Sequence, residues 1–223
     1  MNGDVLLVFL KSPRPGTVKT RLIPSLGEAV AAELYRALAE EEVRRTAPRA
    51  GEYERLFFYA PAEDLAAMEA WLPGKTWIPQ VGEDLGARMA AAFDLAFRRG
   101  ARRAALIGSD VPWVSRETVL ASLASLEDHD AVLGPSRDGG YYLVSLDRPR
   151  PALFRGIPWS TPSVLPATSE RAGALGLTVR LLETLPDMDD LEDVRAEWGR
   201  LRPLLKGRAS LLRVVEDALA RRA

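Results

Sequence analysis

The chain has 223 residues, 47% of them hydrophobic, and its 30 basic and 31 acidic residues leave a formal net charge of -1. This balance lacks the basic excess that nucleic acids and anionic membranes attract, so neither is an expected partner. The chain contains no cysteine and one histidine, His129. Disulfides, zinc–thiolate sites, cysteine nucleophiles and zinc sites made of several histidines are therefore excluded.

The length suits one large domain, and residues 1–223 are predicted to form a single α/β domain. Six apolar residues follow Asp4 without a preceding basic region. That run is too short for a signal peptide or a membrane span. We therefore expect a cytoplasmic protein with no membrane span.

Strands and helices alternate along the first 130 residues. Runs of β-forming apolar residues predict strands, and apolar residues three and four positions apart predict helices. In chain order the predicted elements are a strand over 5–10, a loop over 11–24, a helix over 27–46, a strand over 55–59, a helix over 63–72, an extended segment over 76–79, a helix over 85–99 and a strand over 104–107. This alternation is typical of a parallel sheet flanked by helices.

The second half of the chain is predicted to add a mixed or antiparallel element. Ser115 can cap a helix that ends near Leu126. The elements predicted after it are strands over 131–134 and 141–146 joined by a turn at 138–140, a helix over 163–175, a strand over 177–184 and two helical pieces from 190 onward. The expected fold is an α/β fold with a mostly parallel, mixed sheet. Ligands of such sheets bind at the carboxyl ends of the strands.

The loop after the first strand combines glycine, proline and basic residues. Arg14, Lys19 and Arg21 supply three cations around Gly16. Backbone amides together with fixed cations are what a polyphosphate requires. The segment is not a P-loop, because Val18 rather than glycine precedes the Lys-Thr pair. The loop is predicted to bind the phosphates of a nucleotide.

The geometry of this loop decides whether both of its later cations can act together. Lys19 and Arg21 would diverge in an extended chain, so both reach one ligand only if the chain curls around it or turns into a helix near Thr20. The alternative is a solvated basic turn between the strand and the helix.

Acidic and glycine-rich segments follow the later predicted strands. Gly108 and Asp110 come directly after the strand that ends at 107, and a carboxylate there can hold Mg²⁺, with a turn or helix-capping role as the alternative. Asp138 precedes two glycines, which suits either a hairpin turn or backbone laid against a ligand. Residues 187–193 contain five acids in seven positions. Some of these can cap the following helix, and at least one is predicted to bind a metal ion.

Six segments together resemble the DUF2064 transferases, also called selenodomain-associated transferase 1. The segments that carry the resemblance are residues 13–22, 80–89, 108–112, 138–143, 159–161 and 187–189. The resemblance extends to about residue 200 and implies a Rossmann-like GT-A fold, the fold of nucleotide-diphospho-sugar transferases. It implies a nucleotide over the first loop and Mg²⁺ or Mn²⁺ on Asp110, with Asp189 or Asp187 as the second ligand. Asp190 and Leu191 replace the family's usual threonine-proline, which leaves open which acid faces the metal.

Two enzyme functions and one binding function fit these motifs. In the first, a small phosphorylated acceptor attacks a nucleoside triphosphate and releases pyrophosphate, with Lys19, Arg21 and Asp110 as the catalytic groups. The alternatives are a glycosyltransferase that uses a nucleotide sugar, and a nucleotide-binding module without catalysis. The residues assigned to the acceptor pocket are Arg88, Asp138, Gly139, Gly140, Tyr141 and Trp159. Of these, Arg88, Tyr141 and Trp159 can equally belong to the core.

Overall fold

A computed structural model describes residues 3–221, in which one seven-stranded sheet is flanked by helices. The strands are β1 (Asp4–Lys11), β2 (Glu54–Ala60), β3 (Trp77–Pro79), β4 (Arg103–Ile107), β5 (Ala131–Pro135), β6 (Tyr141–Leu146) and β7 (Val179–Leu181). They lie in the order β3-β2-β1-β4-β6-β5-β7. β6 is antiparallel to both of its neighbours, and all other pairs are parallel. The predicted mixed, mostly parallel α/β sheet is confirmed.

The helices lie between and beyond these strands. They are α1 (Ile23–Leu26), α2 (Glu28–Arg45), α3 (Leu65–Trp71), α4 (Leu85–Arg98), α5 (Arg116–Ser125), α6 (Val164–Ala174), α7 (Leu191–Ala196), α8 (Trp198–Leu201) and α9 (Ala209–Ala220). Ser115 caps α5 as predicted, because its side chain accepts the backbone N–H of Thr118. No helix within residues 3–221 is long and apolar enough to cross a bilayer.

The two faces of the sheet carry separate cores, and alternate residues of β1 serve each of them. Leu6, Val8 and Leu10 pack with the buried side of α2, whereas Val5 and Leu7 face the other layer with α4. All five are at most 1% exposed. A strand buried on both faces has no polar alternation, which explains the continuous apolar run in the sequence.

Three sequence predictions need correction. The loop predicted over 11–24 contains a 3₁₀ turn at Thr20–Leu22 and the start of α1. The strand predicted over 177–184 shrinks to β7, because this edge segment pairs only with β5 and its Leu181 is 49% exposed. The C-terminal region forms three helices instead of two, since Pro203 lies in a 3₁₀ turn that separates α8 from α9.

Candidate active site

A cleft of about 610 Å³ opens at the carboxyl edge of the parallel strands. Its walls come from the segments that follow β1, β4, β5 and β7, together with the first turns of α4 and the loop before α6. These segments contain most of the residues that the sequence singles out. The cleft thus lies where open α/β sheets bind ligands.

Lys19 lies at the centre of one wall. It adopts the left-handed conformation with φ 48°, and the 3₁₀ turn begins at the next residue. Its side chain is 2% exposed, and Nζ donates hydrogen bonds to Oδ1 of Asp110 and, at 3.1 Å, to Oδ1 of Asp189. The turn brings Arg21 to the same side, with Nη1 3.8 Å from Oδ2 of Asp189. The chain therefore turns near Thr20, as joint action of the two cations requires.

Arg14 and Gly16 are placed differently from Lys19 and Arg21. The guanidinium of Arg14 pairs with the buried carboxylate of Asp64, which follows β2. Gly16 has φ 82°, and a Cβ there would come within 3.3 Å of the carboxylate of Glu28. Neither residue is among those that line the cleft. The structure thus brings two of the three loop cations to the cleft and leaves the third beside an acid outside it.

Asp110 is held at the end of β4 by the loop of Gly108 and Ser109. Desolvation raises the pKa of its carboxyl, but the charge and hydrogen bond of Lys19 outweigh this effect, so the net pKa is lowered. Behind this loop, the Tyr35 hydroxyl shares a 3.0 Å hydrogen bond with Ser109 Oγ and accepts the backbone N–H of Lys11 at 2.8 Å. Tyr35 thereby links the ends of β1 and β4. Tyr35 carries no motif in the sequence, because it lies among the apolar residues of α2.

Three carboxylates converge beside Lys19. One oxygen each from Asp138, Asp187 and Asp189 lies within 4.8 Å of the other two. Burial first, and then the charge of Asp138, raise the pKa of Asp187 to about 6. Asp138, predicted for the acceptor pocket, is thus grouped with the acids predicted for the metal, while Asp110 pairs with Lys19. Such a set of hard oxygen donors fits Mg²⁺ or Mn²⁺, because a divalent cation offsets the mutual repulsion of the acids.

A further carboxyl lies buried in the wall behind Lys19. Glu42 on α2 is 1% exposed, and neither of its oxygens has a hydrogen-bond partner within residues 3–221. Desolvation, and then the charge of Asp110, raise the pKa of Glu42 well above its ordinary value, against the opposing effect of Lys19. Burial therefore shifts this carboxyl toward its protonated form. Nothing in the sequence distinguishes Glu42, which is one of three consecutive glutamates in α2.

The loop before α6 forms the remaining wall and packs closely against two glycines. A Cβ on Gly86 in α4 would lie 2.8 Å from the indole of Trp159, and a Cβ on Gly139 would lie 2.2 Å from the carbonyl oxygen of Pro162. The rings of Tyr141 and Trp159 meet edge to face at 6.4 Å. The absence of side chains at Gly86 and Gly139 therefore leaves room for the loop before α6 to pack against α4 and the β5–β6 turn.

Arg88 and Tyr141 line the cleft, and each also contacts the surrounding protein. Nε of Arg88 donates to the carbonyl oxygen of Gly82 at 3.1 Å, and the side chain lines the cleft. Tyr141 also lines the cleft, but its hydroxyl is buried within the protein. Gly140 packs beside Asp138 and donates its backbone N–H to that carboxylate at 2.9 Å.

Replacing either docking glycine by alanine should disturb the cleft. We expect Gly139→Ala and Gly86→Ala each to lower the free energy of unfolding by about 1–3 kcal/mol, since a methyl group enters occupied space. For Gly139 the φ of 88° adds strain. Gly173→Ala is the matched control, because Gly173 lies in α6 with no atom near its missing Cβ. Urea unfolding measures all three variants, and a loss as large for Gly173→Ala as for the others would contradict the docking interpretation.

Comparison with known proteins places the chain in a family. Residues 26–161, more than half of the chain, match the model of a family described as an uncharacterized protein conserved in bacteria, DUF2064. The chain belongs to the DUF2064 family. This confirms the family resemblance drawn from the six sequence segments.

Relatives of this DUF2064 protein are transferases. A phosphoenolpyruvate guanylyltransferase of Chloroflexus aggregans is 29% identical over 194 residues, which cover 83% of this chain and 93% of the relative. The crystal structure of a candidate nucleotide-diphospho-sugar transferase from Desulfovibrio desulfuricans G20 is 33% identical, with a TM-score of 0.87 over 96% of this chain and 99% of that one. The DUF2064 protein is accordingly a transferase with the fold of nucleotide-diphospho-sugar transferases.

A more distant structure shares the fold alone. Rv0371c of Mycobacterium tuberculosis H37Rv, solved in complex with manganese, is 15% identical, with a TM-score of 0.52 over 88% of this chain and 97% of that chain.

Proposed function

We propose that this DUF2064 protein is a metal-dependent nucleotidylyltransferase that joins a nucleoside monophosphate to a small phosphorylated acceptor. An acceptor phosphate oxygen bonds to the α-phosphorus of a nucleoside triphosphate. The bond from that phosphorus to the oxygen bridging the β-phosphate breaks, and pyrophosphate leaves with the electron pair. The observation that supports this most is the position of Lys19 and Arg21 in one cleft beside a cluster of carboxylates.

The two cations have complementary parts in this reaction. Lys19 is a buried point charge, and Arg21, 68% exposed, offers a planar fork at the mouth of the cleft. Charge develops on the leaving pyrophosphate, and fixed cations in a partly desolvated cleft stabilise it without reorganising. Catalysis of this kind depends on positioning and electrostatics, so no histidine or cysteine is needed.

The acids would hold the divalent cation. Asp187, Asp189 and Asp138 form a close set of oxygen donors, and Lys19 donates hydrogen bonds to both Asp189 and Asp110. When bound, Mg²⁺ or Mn²⁺ would supply positive charge at the phosphates. Asp187 and Asp189 would position it, and Lys19 would keep Asp110 ionised by lowering the pKa of that carboxyl. The manganese complex of the distantly related Rv0371c agrees with a metal in this fold.

The acceptor would occupy the side of the cleft lined by Arg88, Tyr141 and Trp159. Arg88 is fixed through Nε to Gly82, so its two terminal nitrogens can face an anionic acceptor. The Chloroflexus relative is named for phosphoenolpyruvate and guanylyl transfer. This makes GTP and phosphoenolpyruvate the first pair to assay.

Glycosyl transfer is the second candidate, favoured by the name of the Desulfovibrio structure. The same cations and acids would then grip the diphosphate of a nucleotide sugar. An acceptor hydroxyl would bond to the sugar carbon, and the nucleoside diphosphate would leave.

One assay separates the two candidates. The protein is incubated with Mg²⁺ or Mn²⁺, each nucleoside triphosphate and phosphoenolpyruvate or other small phosphorylated acids, and pyrophosphate is measured with inorganic pyrophosphatase. Parallel reactions contain nucleotide sugars, and nucleoside diphosphate is measured. We expect acceptor-dependent pyrophosphate release that disappears in Asp189→Asn. Nucleoside diphosphate release from sugars alone would favour the second candidate and contradict the first.

A further inference from the structure

We propose that Asp193 is a positioning residue that fixes the backbone of Asp189 and thereby the direction of its carboxylate; this rests on the proposed role of Asp189 in metal binding. Asp193 itself is not among the residues that line the cleft. It lies in the first turn of α7, directly after the acidic segment that enters the site.

The side chain of Asp193 accepts hydrogen bonds from backbone N–H groups that precede it in the chain. Its Oδ2 accepts the backbone N–H of Asp189 and that of Asp190, both at 3.0 Å. In return, Oδ1 of Asp190 accepts the N–H of Glu192 at 2.9 Å and that of Asp193 at 3.0 Å. The side chain of Asp193 thus accepts backbone N–H groups at and before Asp190, and the side chain of Asp190 accepts those of Glu192 and Asp193.

Helix capping accounts for only part of this arrangement. Asp190 is the N-cap of α7, and a capping box requires one bond from the third helical residue back to the N–H of the N-cap. The bond from Asp193 to Asp190 meets that requirement. The second bond, to the N–H of Asp189, lies outside the helix and adds nothing to the cap.

That additional bond acts on a segment that is held by isolated hydrogen bonds, among them those that the N–H groups of Leu182 and Leu185 donate to β5. No helix or strand lies between the end of β7 at Leu181 and the start of α7 at Leu191. On the other side of Asp189, Met188 is fully buried, and its N–H donates to the carbonyl oxygen of Asp110 at 3.1 Å. Asp189 is therefore held by backbone hydrogen bonds on both sides, and its Oδ1 lies 3.1 Å from Lys19 Nζ.

Asp190 provides the control that a positioning role needs. Asp190→Ala removes the N-cap side chain of α7 but leaves both bonds from Asp193 to the preceding amides. Asp193→Ala removes those bonds, and Asp193→Asn keeps a carbonyl oxygen that can accept both, because the single oxygen Oδ2 accepts both in Asp193. If Asp193 only stabilises α7, the two alanine variants should resemble each other in every respect.

The first measurement is Mn²⁺ affinity by calorimetric titration, together with the thermal midpoint of each variant. We expect Asp193→Ala to weaken Mn²⁺ binding by about 10–100-fold, as loss of an outer partner of a ligand does. Asp193→Asn should recover most of this affinity, and Asp190→Ala should bind Mn²⁺ as the wild type does despite a lower thermal midpoint. Equal weakening by both alanine variants would overturn the positioning role.

The second measurement needs no metal and no substrate. Amide hydrogen exchange followed by NMR reports whether the N–H of Asp189 is protected. Asp193→Ala should speed exchange at Asp189, whereas Asp190→Ala should speed it at Glu192 and Asp193 and leave Asp189 protected. Unchanged protection of Asp189 in Asp193→Ala would refute the proposal whatever the enzyme transfers. Wild-type protein that binds no Mn²⁺ would instead count against the proposed function, while the exchange result still decides the role of Asp193.

Discussion

Replacing Lys19 by methionine is expected to lower kcat/KM for nucleotidyl transfer by about 10²–10³-fold, the typical loss for one preorganised charge-stabilising group. Methionine keeps the length of the side chain without its charge. In the absence of nucleotide, Mn²⁺ binding should be as strong as in the wild type or stronger, because Lys19 no longer competes for Asp110 and Asp189. Steady-state kinetics and calorimetric titration measure the two effects.

Comparing nucleoside triphosphate with monophosphate binding, with a lysine outside the cleft as the control, makes this test specific for phosphate binding. Lys19→Met and Arg21→Ala should weaken binding of a nucleoside triphosphate far more than that of the monophosphate, at fixed salt and Mg²⁺. Lys75→Met is the control, since Lys75 lies over the ring of Phe57, away from the cleft. Wild-type affinity of both cleft variants for all forms of the nucleotide would mean that the loop does not bind phosphate.

Replacing Glu42 by leucine is expected to remove a pH dependence of stability. Burial raises the folded-state pKa of Glu42 above its unfolded value of about 4.3. The folded protein then binds more protons than the unfolded chain between these two pKa values, so its free energy of unfolding falls as pH rises. The slope is up to about 1.4 kcal/mol per pH unit from this single group. The contribution is fully present below the unfolded pKa and is lost as pH rises through the folded pKa.

Urea unfolding at pH values from 4 to 9 measures this slope. Glu42→Leu should be more stable than the wild type at the alkaline end of that range, and the difference should shrink toward the acid end. Glu33→Gln is the control, because Glu33 lies on the same helix and is partly exposed. A difference between Glu42→Leu and wild type that does not change with pH would show that Glu42 is ionised in the folded protein.

Much of the fold follows from local sequence. The strands β1, β2 and β4 were predicted to within one residue at each end, because strands buried on both faces are continuous apolar runs bounded by polar residues. β7 was overextended because Thr184 and its neighbours have strand-like composition but no second strand to pair with. The C-terminal region has one helix more than predicted because the chain also breaks between α7 and α8 at Glu197, where no proline or glycine marks the break.

The site was predictable only in its parts. The sequence marks Lys19, Asp110 and Asp189 as polar residues that follow strands, which indicates a shared edge of the sheet. That Lys19 is buried between the two acids depends on contacts across 91 and 170 residues. The separation of Arg14 from the cleft likewise depends on Asp64, a residue without any motif. The burial of Glu42 depends on tertiary packing alone.

The antiparallel strand β6 sets the width of the site. Its insertion between β4 and β5 puts the ends of those two strands two strand spacings apart, about 9.5 Å. Asp110 follows one of these ends and Asp138 the other, on the tip of the hairpin. With β4 directly beside β5, the ends of the two strands would lie at half that distance. β6 thus acts as a spacer, and its first residues from Tyr141 onward form the floor on which a ligand between the acids would rest.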